Sequence, residues 1–80
     1  MTEASGNVRA LIEQIAKSIV DAPDQVFVEQ FDDDVIELEV AEGDVGKIIG
    51  RQGRTVRALR ALLHAAGIRA QRRYTLEVID

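Results

Sequence analysis

The sequence predicts an α+β sandwich, with three helices on one face of a three-stranded sheet in the order αββααβ. Three observations predict it. Apolar residues between positions 8 and 19 recur at helical spacing. Residues 35–40 alternate instead, with the period of a strand. Between residues 45 and 66, two helical patterns flank a loop bracketed by glycines.

The first helix begins near Asn7, a suitable N-cap. Val8, Leu11, Ile12, Ile15, Ala16 and Ile19 form its apolar stripe. Pro23 enforces its end, because the residue before a proline avoids the helical region. Gln25 to Phe31, rich in Val and Phe, reads as the first strand. Asp32-Asp33-Asp34 is a turn without glycine, so its type stays open. In Val35 to Val40, Ile36, Leu38 and Val40 alternate with Glu37 and Glu39, which predicts one buried and one wet, acidic face. A hairpin is the simplest pairing of these two strands.

Glu42-Gly43-Asp44 opens the next segment. Val45, Ile48 and Ile49 place a short helix up to Ile49. A longer helix runs from Arg54 to about Ala66. Val56, Leu59, Leu62, Leu63 and Ala66 form its apolar side, opposite Arg54, Arg57, Arg60, Ala61 and His64. Gly67 is placed to stop it. Arg73 to Ile79 is the third strand, with Tyr74, Leu76 and Val78 on one face. Residues 1–6 form a flexible tail, and residues 7–80 form one domain.

A chain of 80 residues buries little more than ~60% of its unfolded surface, so its stability is modest. It has no cysteine, which excludes disulfides and thiolate metal sites. No apolar run approaches the ~18 residues of a membrane span. The N-terminus lacks the basic start and apolar core of a signal peptide, and a cytoplasmic location is expected. The net charge of −4 hides a segregation. Residues 1–44 hold twelve acids and two bases, a balance of −10. Residues 45–80 hold eight bases and two acids, a balance of +6. No acid lies between Val45 and Tyr74. A basic face on an acidic body can bind nucleic acid even when the whole chain is acidic.

Enzymatic constellations are missing. His64 is the only histidine, and there is no Ser-His-Asp or Cys-His set. Asp32-Asp33-Asp34 lacks the alternating ligands and following glycine of a calcium loop. Gly46-Lys47 is no Walker A element, because Ala41 and Ile48 stand where that motif needs Gly and Ser or Thr. The chain is expected to be no enzyme and to use no metal, cofactor or small-molecule substrate.

The chemistry-bearing stretch is Ile48-Ile49-Gly50-Arg51-Gln52-Gly53, followed by arginines. Glycine permits a tight turn and a close backbone approach. A helix that starts at Gly53 points its free N–H groups and positive dipole end into the loop, where a phosphate fits. The amides of Gly53, Arg54 and Thr55 are the expected donors. Arg51 and Lys47 supply charge, and Gln52 supplies hydrogen bonds. Ile48, Ile49 and Val56 form an apolar floor shared with the core, and Arg54 and Arg57 extend the phosphate track. Arg69, Arg72 and Arg73 are a second basic patch or ordinary strand-end charges. No aromatic residue lies beside the loop, so contact with aliphatic walls is expected rather than ring stacking.

The run Val45-Gly46-Lys47-Ile48-Ile49-Gly50-Arg51-Gln52-Gly53-Arg54-Thr55-Val56 resembles the core of a KH domain, an Ile-Gly-x-x-Gly loop between two short helices. The element order resembles the type II, bacterial form of that fold. The resemblance runs from Val8 to Ile79 and is closest to the small stand-alone KH proteins of bacteria. It implies an RNA-binding module whose loop clamps about four nucleotides of single-stranded RNA. It also implies a homodimer, or a heterodimer with a larger Jag-related KH protein. The roles it implies are post-transcriptional regulation and cell envelope growth and division. Two other readings remain: a protein-interaction module that kept the fold, and a ribosome-associated assembly factor.

Overall fold

A computed structural model describes residues 8–79. The expected tail at residues 1–6 and the Asn7 cap lie outside the described residues. The architecture is α+β: α1 (Val8–Ile19), β1 (Phe27–Phe31), β2 (Val35–Glu39), α2 (Val45–Ile49), α3 (Arg54–Ala70) and β3 (Thr75–Ile79). Short 3₁₀ turns at Pro23–Gln25, Glu42–Asp44 and Arg51–Gly53 join them. The sheet order is β1-β2-β3, with β1 and β2 antiparallel and β2 and β3 parallel.

The core lies between the sheet and the helices. Ile36, Leu38 and Leu76 from the sheet meet Val8, Ile12 and Ala16 of α1, Ile48 of α2, and Val56, Leu59 and Leu63 of α3. The helices form one layer because each carries a single apolar stripe. Two stripe residues depart from expectation. Leu11 and Leu62 are 40% and 45% exposed, at the margins of stripes whose centres contact the sheet.

Four boundaries also differ from the sequence reading, the smallest being the end of the second strand at Glu39 rather than Val40. The first strand begins at Phe27 rather than Gln25, because Pro23 starts a 3₁₀ turn that uses Asp24 and Gln25. The third begins at Thr75 rather than Arg73. Helix α3 runs three residues beyond Gly67, to Ala70. Gln71 adopts the left-handed conformation that ends it, at φ 58°. Gly67 serves a different purpose: the returning chain presses the Arg72 carbonyl onto the place a Cβ would fill. The Arg72 N–H then donates to the Gly67 carbonyl at 2.8 Å.

The hairpin turn resolves as well. Asp32 and Asp33 both have positive φ, at 53° and 66°, and the Asp34 N–H donates to the Phe31 carbonyl at 3.0 Å. Positive φ at both central residues marks a type I′ turn over Phe31–Asp34, and the pairing of Phe31 with Val35 leaves Asp34 as a third loop residue. Asp tolerates the left-handed region better than most residues. Arg72 braces the turn through Asp34 at 3.2 Å and Asp33 at 3.9 Å.

Both outer strands are capped at an edge carbonyl by an arginine. Arg9 Nη1 donates to the Val28 carbonyl of β1 at 3.2 Å. Arg60 Nη2 donates to the Leu76 carbonyl of β3 at 3.2 Å.

Candidate nucleic-acid interface

The helix α2 ends where Gly50 turns to φ 79° and ψ 168°, a conformation that only glycine adopts readily. Space demands glycine too. A Cβ there would overlap the Thr55 hydroxyl and approach the Thr55 nitrogen to 2.8 Å. Thr55 thus packs beneath the turn and is half-buried. The next residues make one tight turn, in which Gln52 (φ 58°) and Gly53 (φ 74°) both have positive φ. For Gln52 this costs roughly 1 kcal/mol. The strained residue is exposed, at the tip of the loop.

The expected free amides are partly occupied. The Gly53 N–H donates to the Gly50 carbonyl at 3.0 Å, and the Arg54 N–H donates to the Arg51 carbonyl. The 3₁₀ turn before α3 satisfies the first donors of the helix internally. That corrects the expectation that these two amides stand open to a phosphate. Positive charge at the loop is therefore carried by side chains rather than by these two amides.

Arg51, Gln52, Arg54 and Arg57 are all exposed. Arg54 Nη2 donates to Gln52 Oε1 at 3.4 Å, which ties the loop tip to the first turn of α3. The Arg57 guanidinium folds back to the loop, 3.7 Å from the place a Cβ on Gly53 would occupy. Three arginines thus surround one glycine turn.

Other expected site residues are placed differently. Ile48 is fully buried and Val56 nearly so, so neither offers surface to a base. Ile49 is only partly buried and is the apolar wall that remains. Lys47 Nζ lies 3.3 Å from Asp21 and 3.9 Å from Asp44. The pair with Asp21 is exposed and weak, whereas Asp44 is buried; together they aim Lys47 toward the end of α1. Arg60 and Arg72 are engaged as described above, while Arg69 and Arg73 are exposed.

One positioning residue was not foreseen. Asp44 is 3% exposed and accepts hydrogen bonds from the backbone N–H groups of Ala22 at 3.1 Å and Asp21 at 3.3 Å. It fastens the start of α2 to the chain leaving α1. An acid directly before a helix signals an N-cap, but this one caps nothing in its own helix. The fold brings its partners from more than twenty residues away.

Among the described residues, no group of three or more His, Cys, Asp and Glu side chains is arranged to hold a metal ion. No helix is long and apolar enough to cross a membrane.

Comparison with known proteins agrees with this geometry. The family model "KhpA/KhpB, KH domain" matches residues 9–78. The RNA-binding protein KhpA of Halalkalibacterium halodurans is 46% identical over 76 residues, covering 91% of this chain and 100% of its own length. That of Borreliella burgdorferi is 47% identical over 78 residues, covering 94% and 95%. That of Treponema pallidum is 47% identical over 73 residues, covering 88% and 91%. No solved structure gives a significant match. With nearly its whole length matched and the loop, helix pair and mixed sheet in place, the chain belongs to the KhpA/KhpB family of KH domains.

Proposed function

We propose that this protein clamps single-stranded RNA against the Gly50–Gly53 loop and acts in post-transcriptional regulation in the cytoplasm. The observation that carries the reading is the loop itself. Gly50 and Gly53 leave a side-chain-free turn for a sugar–phosphate backbone, and Arg51, Arg54 and Arg57 surround it in a stretch without acids. Gln52, held at positive φ on the tip, offers an amide to a phosphate or a base edge. Relatives that share 36–47% of their residues are named RNA-binding proteins, which supports the same reading.

The apolar contact on this surface is small, because Ile48 and Val56 belong to the core. Binding is therefore driven by the backbone of the RNA and is weakly selective for sequence. A longer strand would follow the exposed side of α3 past Arg57 and His64. It would reach a cleft of about 450 Å³ lined by His64, Ile68, Arg72, Arg73 and Tyr74.

Replacing Arg51 and Gln52 together by Asp tests the assignment. Both are exposed, so the circular dichroism spectrum and melting point should persist. Affinity for a single-stranded RNA should fall about 100-fold, the scale of losing two charge-assisted contacts. Unchanged affinity would falsify the loop as the binding site.

One such site binds weakly, and pairing two raises avidity through effective concentration. A homodimer, or pairing with a larger KH-bearing protein, supplies the second site. The exposed Leu11 and Leu62 favour covering of the helix layer by another chain. Leu62→Glu should shift any dimer to monomer in light scattering. An unchanged mass would place the contact elsewhere.

A further inference from the structure

The face of the sheet opposite the helices carries an ordered pattern. Strand register sets Glu29 beside Glu37 and Glu37 beside Glu77, one glutamate from each strand in a single row. The row on one side is Phe27, Glu39 and Ile79, and the row on the other is Phe31, Val35 and Thr75. Phe27, Phe31 and Ile79 are 57%, 42% and 40% exposed. No basic residue stands in these three rows. Like charges directly opposite each other destabilise a sheet, and two large aromatic side chains in water add apolar exposure. Neither feature serves the core.

The face is also concave at one end. Phe27, Ile79, Glu29, Glu37 and Glu39 line a hollow of about 80 Å³. That is roughly the space of two to three waters. It suits one ammonium or guanidinium group, with carboxylates around the head and apolar walls along the stem. Lys and Arg bury their methylenes in this way while the charge stays solvated.

We infer that this outer sheet face docks a protein segment in which a lysine or arginine is flanked by apolar residues, the cation seating in the hollow between Phe27 and Ile79. A second copy fits poorly. Face-to-face pairing about a two-fold axis sets glutamates against glutamates. Head-to-tail stacking onto the arginines of α3 is a heterologous contact, which builds rings or filaments rather than a two-fold pair and would cover the basic helix face. Three strands of five residues present a patch about 15 Å wide and 16 Å long. That is well below the ~800 Å² per partner of a standard interface, so the contact is weak and reversible. The Gly50–Gly53 loop belongs to the helix layer on the other side, so both faces can be occupied together. The inference does not depend on what the loop binds.

The test titrates the isotopically labelled full chain with two synthetic peptides of equal charge. One alternates lysine with leucine, and the other alternates lysine with serine. Amide shifts should concentrate in Phe27–Phe31, Val35–Glu39 and Thr75–Ile79, and the leucine peptide should bind about tenfold tighter. The triple variant E29Q/E37Q/E77Q should lose about tenfold in peptide affinity while RNA affinity stays within twofold. Should the triple variant not fold, Glu39→Gln is read instead, with about a threefold loss expected. Three results would overturn the inference: shifts centred on Asp21, Asp24 or Asp32–Asp34, equal affinity for the two peptides, or no response to removal of the glutamates. Self-association of the free chain that disappears with Phe27→Ser also overturns it, by making a second copy the occupant.

Discussion

On the helix side of this molecule, cations gather because they are neighbours in the chain. Arg51, Arg54 and Arg57 lie within seven residues, and a helix that starts at the loop sets them around one turn. On the sheet side, anions gather although they are far apart in the chain. Glu29, Glu37 and Glu77 meet only because the register of three strands aligns them. The first cluster is local and visible in the sequence. The second is a product of topology. The net charge of −4 describes neither face, so binding arguments for a domain this small belong to faces rather than totals.

The shape of the basic face can be spoiled without touching its charge. Gly50→Ala forces a Cβ onto Thr55 in a left-handed backbone. It should cost about 1–3 kcal/mol of stability in urea denaturation. RNA affinity should fall at least tenfold in titrations of the folded fraction. If affinity survives, charge alone makes the site.

Within the basic region, two cations differ in their surroundings. Arg57 points at the loop, whereas Lys47 is held by Asp21 and Asp44. Arg57→Gln should weaken RNA binding about tenfold, equivalent to ~1.4 kcal/mol, and Lys47→Gln less than threefold. Fluorescence anisotropy at fixed salt separates them. With three arginines on phosphates, log affinity should fall against log salt with a slope of about −2, and Arg57→Gln should lower that slope by about 0.7.

The acidic face should respond in stability rather than in RNA binding. Glu37 stands between two other glutamates. Glu37→Gln should raise stability by about 0.5 kcal/mol, read as a higher melting temperature, with RNA affinity unchanged at ~0.15 M salt.

The smallest effect concerns pH. A hydrogen bond from Lys17, helped by attraction to Lys17 and Arg9, holds the Glu13 carboxyl below its ordinary value of 4.5. A depressed folded value means the contribution is present above the unfolded value and is lost as pH falls through the folded one. Acid unfolding of Glu13→Gln should be slightly less steep below pH 4.5, with no change in RNA binding at pH 7.

Much of this was legible from local pattern. The stripe from Val8 to Ile19, the alternation from Ile36 to Val40 and the spacing around Gly50 and Gly53 each depend on near neighbours, and each formed close to the reading, with Leu11 left exposed and the strand ending at Glu39. What was not legible depends on distant partners. Lys47 reads as a free cation until the fold brings Asp21 to it. Asp44 reads only as part of the segment that opens α2, until the chain after α1 donates two N–H groups to it. Gly67 reads as a helix stop, yet its small size is used by Arg72, five residues on. Ile48 and Val56 flank the loop in sequence, but helical rotation turns both inward. The row of glutamates needed strand register, which short-range pattern does not contain.

The arginine caps on Val28 and Leu76 carry a consequence for life at high concentration. A sheet of three strands has an open border on two of them, and open borders recruit further strands from other copies. Here a guanidinium sits on one carbonyl of each border, so an incoming strand must first displace it. The sheet is thereby given a finite width. The molecule can be crowded without lengthening into a ribbon, and the surfaces left for contact are its two broad sides.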